Sequence, residues 1–248
     1  MMEGDEAIFF GRDLEIRDGL TAINELRATV TKRALVFQAP SGAGKSSYLR
    51  AGLWRRLRQQ PGFTPLAIVR SAKGVVRNDE WGFAAGLFDA LARSDRLGKN
   101  LSLTLSEIED RAKSDLPGLL AQFADADAGP AGRRIDQAEE MTALSPEDDA
   151  ELDHFLAQVL EPRPSLDIRL VLTARDDSVD ATLARLAKAG LPQDQFETQR
   201  LHRLPPTRFD DIITGPAKAA ERSGWPLTIE PQLVDALVTL ATHYPFSH

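Results

Sequence analysis

The sequence predicts an α/β fold in which a parallel β-sheet is covered by helices on both faces. Short apolar runs that are typical of buried strands alternate with helical patterns along the first 205 residues. The clearest strand, DIRLVLTAR at 167–175, is apolar on successive residues, as a strand buried on both faces should be. After Pro205 only helical patterns remain. We therefore expect an α/β core over residues 1–205 and a helical unit over 206–248.

The individual elements follow from the spacing of apolar residues. The other predicted strands are RALVFQA (33–39), PLAIVRS (65–71) and TQRLHRL (198–204). The predicted helices cover 14–27, the stretch after the first strand as far as Pro61, 81–93, a stretch that starts at Ser145, 207–222 and 231–242. The last helix has an apolar face with no later element to pack against, so we expect the chain to be a truncated part of a longer protein.

Composition limits the classes of function. The chain has 248 residues, a net charge of −7 and a pI near 5.2, which argues against a nucleic-acid surface. It has no cysteine, so disulfides, thiolate nucleophiles and cysteine-ligated zinc are excluded. No apolar run approaches the roughly 20 residues that span a bilayer, and the first residues lack a signal-peptide layout. We therefore expect a soluble, cytoplasmic protein that does not contact membranes.

The segment VFQAPSGAGKSSYLRAGL, residues 36–53, carries the strongest chemical signal. It matches A-x-x-x-x-G-K-S, with Ala39 where the commonest form has glycine. Small residues between a strand and a helix let consecutive amides surround phosphates at the positive helix end. In this pattern Lys45 reaches the β- and γ-phosphates of a nucleotide, and the Ser46 hydroxyl coordinates Mg²⁺. The predicted binding residues are Pro40, Ser41, Gly42, Ala43, Gly44, Lys45, Ser46 and Ser47. The alternative is a glycine-rich turn.

Two further segments supply charged groups. RRIDQAEEM, residues 133–141, offers Asp136 as the metal-side carboxylate and Glu139 or Glu140 to polarise the attacking water. The alternative is a solvated acidic helix start. A strand that leads into Asp136 would have Ile135 as its only apolar residue. Either this strand is very short or residues are missing from the chain. Arg175 ends the strand at 167–175, where a guanidinium could sense the γ-phosphate; the alternative is an ion pair with Asp176 or Asp177.

The order of these segments resembles a known family. FFGRDLEI, APSGAGKSSYLRAGL, IDQAEEM, VLTARDD and LHRLPPTRFDDIITGPAKAAERSG occur as in the STAND class of P-loop ATPases. The chain is most similar to the bacterial novel-STAND NTPases, relatives of the NACHT and AP-ATPase proteins within the AAA+ group. The resemblance runs from about residue 8 to 240. It implies a three-layer P-loop NTPase core of the ASCE/AAA+ type, followed by the start of a helical lid or winged-helix unit.

The resemblance also implies roles for individual residues. Phe10, Gly11 and Arg12 would lie beside the adenine or ribose, and Gly215-Pro216 would be a lid motif whose proline touches the base. The alternatives are a hydrophobic staple before a helix for the first group and a simple helix break for the second. The implied ligands are ATP or ADP with Mg²⁺.

The function that the resemblance implies is an ATP-binding, slowly hydrolysing signal-transduction switch. ADP would hold a closed form, and ATP would allow self-association that triggers attached sensor or effector domains in bacterial signalling or defence. Gln137 stands where motor-type AAA+ proteins have glutamate, and an amide cannot accept a proton from water, so hydrolysis would depend on Glu139 or Glu140 or be slow. The alternatives are an ATP-driven remodeller or loader, a small-molecule kinase and a non-hydrolysing adaptor. We do not expect nucleic acid as a partner.

Overall fold

The structure is a computed structural model that describes residues 9–60, 64–70, 103–127, 134–140, 153, 156–161, 167–225 and 227–243. Its strands are β1 (Ala34–Ala39), β2 (Thr64–Arg70), β3 (Arg134–Glu140), β4 (Asp167–Arg175) and β5 (Phe196–Arg200). The described residues form a five-stranded sheet in the order β2-β3-β4-β1-β5, and all four pairings are parallel. The expected parallel sheet is therefore confirmed.

Helices precede, separate and follow these strands. They are α1 (Asp13–Ala28), α2 (α-helical at Lys45–Ser47 and Arg55–Arg58, π-helical at Tyr48–Trp54), α3 (Leu105–Asp127), α4 (Val179–Lys188), α5 (Phe209–Arg222) and α6 (Pro231–His243). Residues 156–160 are also helical. The kink in α3 lies at Asp115, two residues before Pro117, whose ring cannot fit an undistorted helix interior.

The strand β1 lies in the middle layer of a three-layer arrangement, with helices on both sides. Its side chains alternate between two apolar clusters, because successive residues of a strand point to opposite faces. Ala34 and Val36 pack in one cluster with side chains of α3, residues 156–160 and α4. Leu35 and Phe37 pack in the other with side chains of α1 and α2. Helices therefore cover both faces, which confirms the α/β fold that the sequence predicts.

The helix that follows β1 is held against α1 by an aromatic side chain. Tyr48 packs edge-on against Phe37, with the ring centroids 5.3 Å apart. Its hydroxyl donates a hydrogen bond to the Glu15 carbonyl at 2.7 Å. A Cβ at Gly19 would lie 2.0 Å from that hydroxyl, so only glycine lets α1 approach this closely. The π-helical turn that carries Tyr48 therefore fixes the start of α2 relative to α1.

Most predicted elements agree with the structure, and three differences are informative. The last strand begins at Phe196 and ends at Arg200, earlier than predicted, because its pairing with β1 ends at the Gln38–Arg200 pair. The acidic segment lies within β3 rather than after it. The helix α5 continues through Pro216, so Gly215-Pro216 does not break it. The helix predicted over 81–93 lies outside the described residues, as do residues 145–152 of the helix predicted to start at Ser145, whose residues 153 and 156–160 are helical.

The C-terminal helices contact the N-terminal segment. A Cβ at Gly215 of α5 would lie 2.4–2.7 Å from three ring atoms of Phe10, so the ring packs directly on the helix backbone. Gly11, with φ +84°, sits against Ile212 of the same helix. On α6, Val234 is buried, whereas Leu233, Leu237 and Leu240 are exposed. Within the part of the chain that the structure describes, no helix combines the length and apolar character needed to cross a bilayer.

We predict that Gly215→Ala destabilises the protein through Phe10. At an interior helix position, alanine normally stabilises the helix by about 1 kcal/mol relative to glycine. Here the added methyl group would collide with the Phe10 ring, and overpacking of this kind costs about 1–3 kcal/mol. Urea unfolding of Gly215→Ala, Phe10→Ala and the double variant measures the coupling between the two sites. The Phe10→Ala background should remove the penalty; an equal effect of Gly215→Ala in both backgrounds would contradict the contact.

Candidate nucleotide-binding site

The loop of residues 40–44 lies at the carboxyl end of β1, which is flanked by β4 and β5 in the sheet. Gly42 and Gly44 have φ of +73° and +81°, a conformation that L side chains rarely adopt. Apart from the adjacent residues of the chain, no atom lies within 4 Å of the position that a Cβ would take at either glycine. The Ala43 amide donates to the Pro40 carbonyl at 3.3 Å, which closes the loop as a turn. The loop is therefore wound tightly and opens onto unfilled space.

Lys45 is the first residue of α2, directly after this loop. Its Nζ donates hydrogen bonds to the Ala39 carbonyl at 3.1 Å and the Pro40 carbonyl at 3.2 Å. The ammonium group thus folds over the loop whose amides would surround an anion. Ser46 and Ser47 follow in the same turn, as the loop pattern predicts.

A cavity of about 450 Å³ lies against the loop. On the loop side it is lined by Ser41, Gly42, Ala43, Gly44 and Ser47. The other described lining residues are Phe9, Phe10, Arg12, Arg203, Leu204, Phe209, Ile212, Ile213 and Ala241. The volume falls within the range of small-molecule sites. A mainly apolar wall facing a wall of backbone amides fits a molecule with a flat aromatic end and a phosphate end.

Two further predicted motifs, Phe10-Gly11-Arg12 and Gly215-Pro216, lie near this cavity, but only the first lines it. Phe10 and Arg12 line it, and Gly11 packs behind it against α5. Neither Gly215 nor Pro216 is among the described lining residues. Gly215 reaches the cavity only through Phe10, and the α5 residues that line the wall are Phe209, Ile212 and Ile213.

Arg12 is a structural clamp rather than an open ligand contact. Its side chain is only 2% exposed, and Nη2 donates to the Ala43 carbonyl at 2.5 Å and the His202 carbonyl at 3.0 Å. Burial lowers the pKa of the guanidinium below its usual value, and the neighbouring Glu15 carboxylate opposes that shift. One guanidinium thereby joins the N-terminal segment, the phosphate loop and the chain that leaves β5.

The acidic residues of β3 lie at different levels of the sheet. Asp136 pairs with Arg169 of β4, whereas the end of β1, Ala39, pairs with Arg175. Six residues separate these levels, about 20 Å along a strand. The expectation that Asp136 lies beside the loop is therefore not met by this register. Glu140 pairs with Thr173, only two residues short of Arg175, so it is the acidic residue of β3 nearest the loop edge.

Arg175 lies at the level of the loop but is paired with a carboxylate. It ends β4 opposite Ala39, and its Nη2 donates to an Asp177 carboxylate oxygen at 2.6 Å. Its side chain is 45% exposed. Of the two ion pairs considered from the sequence, the structure forms the one with Asp177, and Asp176 pairs with Arg200 at 2.8 Å. Among the described residues, no group of three or more His, Asp and Glu side chains could hold a metal ion.

The residues that sequence analysis missed come from the chain after β5. Arg203 and Leu204 line the cavity just before α5, and Phe209, Ile212 and Ile213 line it from α5 itself. The apolar spacing in 207–222 indicated that this helix has a buried face, but not that the face covers a loop 170 residues earlier. No local signal singled out Arg203, because the sequence placed it inside the predicted strand 198–204. The structure ends β5 at Arg200 and so leaves Arg203 just after the carboxyl end of the strand, where open α/β sheets bind ligands.

The sheet order, the loop after β1 and the adjoining cavity define an α/β P-loop NTPase fold. The structure is similar to that of the Aeropyrum pernix ORC1 protein in complex with DNA, with a TM-score of 0.54, 16% identity and coverage of 95% of this chain and 56% of that one. It is also similar to a chain of Drosophila ORC bound to DNA, with a TM-score of 0.51 and 10% identity over 84% of this chain and 32% of that chain. This chain thus spans about half or less of the length of these relatives.

The family is defined by the sequence match. The model of the family Novel STAND NTPase 1 matches residues 2–245, and the chain belongs to that family. The resemblance inferred from the motifs is therefore confirmed. No curated protein matches the chain at a significant level.

We predict that Arg12→Ala destabilises the protein by about 3–6 kcal/mol, because it removes the hydrogen bonds to the Ala43 and His202 carbonyls and each bond to a charged group is worth about 1.5–3 kcal/mol. Arg17→Ala is the matched control, since Arg17 lies on α1, the helix that begins directly after Arg12, is exposed and pairs with its neighbour Asp18. That control should change stability by less than about 0.5 kcal/mol. The measurement is urea unfolding of both variants, and equal midpoints would show that the clamp does not stabilise the loop.

Proposed function

We propose that this chain is the nucleotide-binding core of an ATP-dependent switch that binds ADP and ATP and hydrolyses ATP slowly. The observation that carries the proposal is that the glycine-containing loop and the cavity adjoin each other. A loop with two left-handed glycines opens directly into a cavity of about 450 Å³ whose far wall is mainly apolar and formed partly by α5. A nucleoside phosphate has the matching polarity, with an aromatic base at one end and an anion at the other.

Each part of the site would have a defined task in this proposal. The amides of residues 42–45 would donate to phosphate oxygens, which the positive end of α2 also favours. Lys45 would exchange its two carbonyl acceptors for β- and γ-phosphate oxygens, because charge-assisted hydrogen bonds are about twice as strong as neutral ones. The Ser46 hydroxyl and a carboxylate of β3 would hold Mg²⁺, which neutralises charge on the phosphates when it is bound.

The carboxylate that polarises water would come from the carboxyl end of β3. The register favours Glu140, since it lies nearest to the level of the loop. Glu139 pairs with Leu172 and so lies one residue further from that level. Slow rather than rapid turnover is the part of the proposal that follows from the resemblance to the STAND class.

The helical segment would couple nucleotide binding to the rest of the protein. The helix α5 lines the cavity and packs on Phe10, so an occupied base site would hold it in a closed position. A change of state requires that ATP and ADP favour different positions, since a ligand with equal affinity for both states shifts nothing. We propose that the ATP form self-associates and acts on sensor or effector domains in a longer chain.

A DNA-dependent machine is the main alternative, since the similar ORC structures are complexes with DNA. The net charge of −7 opposes a phosphate-neutralising surface over this chain. The two functions are separated by ATP turnover with and without double-stranded DNA. A switch of the proposed kind shows no stimulation, whereas a DNA-dependent machine is stimulated.

We predict that Lys45→Ala lowers the affinity for both ATP and ADP about 10- to 100-fold, which corresponds to the loss of one charge-assisted contact of about 1.5–3 kcal/mol. Lys218→Ala is the control, because this lysine is exposed on α5 and does not line the cavity. Titration calorimetry measures both affinities. Unchanged binding by the Lys45 variant would rule out the loop as the phosphate site.

We predict that Glu140→Gln slows single-turnover ATP hydrolysis by about 100-fold or more, the usual contribution of a positioned general base, while ATP affinity stays within a few-fold. Glu139→Gln and Asp136→Asn, which remove charge at nearly constant shape, serve as the comparison along the same strand. The register predicts a smaller effect for both. If Asp136→Asn were the most damaging variant, β3 would have to pair about four residues further along.

A further inference from the structure

Arg203 is a cation beside the phosphate loop that none of the sequence motifs explains. It lies three residues after the end of β5 and just before the turn that starts α5. It lines the cavity together with four of the loop residues and Ser47. Its Nη2 donates a hydrogen bond to the carbonyl of Ser41 at 3.3 Å. A guanidinium is thus placed at the wall where the phosphate end of a nucleotide would lie.

The contact that holds Arg203 is weak by comparison with its neighbour Arg12. At 3.3 Å it is longer than the usual range for an N–H···O hydrogen bond, and the side chain is exposed. Arg12 is buried, with contacts of 2.5 and 3.0 Å to two carbonyls. Arg12 would therefore stay in place when a ligand enters, whereas Arg203 can exchange its acceptor at little cost.

The charges around the cavity favour an anionic replacement. Among the described lining residues, Arg12 and Arg203 are cationic and none is acidic. A phosphate oxygen accepts a charge-assisted hydrogen bond from arginine that is about twice as strong as one to a neutral carbonyl. Because Arg12 is committed to the two carbonyls, Arg203 is the arginine that a phosphate entering this cavity can recruit.

We propose that Arg203 binds a phosphate oxygen of the nucleoside di- or triphosphate, releasing the Ser41 carbonyl when the nucleotide enters. This inference rests on the proposed function and adds a residue that contacts the phosphates of the ligand. Arg203 belongs to the segment between β5 and α5, so the contact also draws the base of α5 towards the occupied loop. The nucleotide is then held by α5 residues at its apolar end and by Arg203 at its anionic end.

The test is calorimetric binding of ADP and ATP to the wild-type chain and to Arg203→Ala, Arg203→Lys and Arg222→Ala. Arg203→Ala should bind both nucleotides about 10- to 100-fold more weakly and show a shallower dependence of affinity on salt. Arg203→Lys should keep the salt dependence of the wild type. Arg222→Ala removes an exposed arginine at the far end of α5 and should bind normally.

The melting temperature of the nucleotide-free variants separates a ligand contact from a structural one. Arg203→Ala should melt within about 2 °C of the wild type, since it loses one long, exposed hydrogen bond. Unchanged affinity of Arg203→Ala, or a loss of affinity matched by a large fall in melting temperature, would overturn the inference. Failure of the wild-type chain to bind either nucleotide would instead refute the proposed function.

Discussion

The hydrogen bonds of the buried Arg12 guanidinium are the interaction on which the arrangement of the site depends. They join Ala43 in the loop to His202 after β5, two segments far apart in sequence. A buried cation is tolerated only when its donors are satisfied, so the two carbonyls must stay close to it. The lowered pKa of Arg12 reflects the desolvation that this position costs. The loop and the start of the helical segment are thereby fixed to each other before any ligand binds.

The parallel sheet explains why these segments meet at one edge. β4 and β5 flank β1, and all three strands end at the same edge because they are parallel. The loop after β1, Arg175 and the segment that contains His202 therefore converge without any special sequence signal. Open α/β sheets bind ligands in such a crevice because the connections diverge there. What is particular to this chain is that α5 closes the crevice with an apolar wall.

Local patterns predicted the strands, most helices and the loop, since each depends on residues close together in sequence. The position of Asp136 was not predictable in the same way. Its level is set by pairing of β3 with β4, and a segment with a single apolar residue before the aspartate carries little information about register. Arg12 was expected near the ligand, but its contacts with Ala43 and His202 are non-local and cannot be read from FFGR. For Arg175 the sequence left two carboxylates open, and loop geometry selects Asp177.

A switch between ADP and ATP must draw its energy from the phosphate side of the site. In the proposed switch, base contacts of Phe10 and α5 would be common to both nucleotides, so they would close the structure but would not distinguish ATP from ADP. In the proposed switch the group best placed to respond to a third phosphate would be Arg175, which pairs with Ala39 in the sheet and forms an exposed ion pair with Asp177. Exposed pairs of this kind contribute about 0–1 kcal/mol, so exchanging Asp177 for a γ-phosphate oxygen would cost little. A contact to the more highly charged phosphate would then exceed that cost, and the difference would be available to move the segment from residue 176 onward.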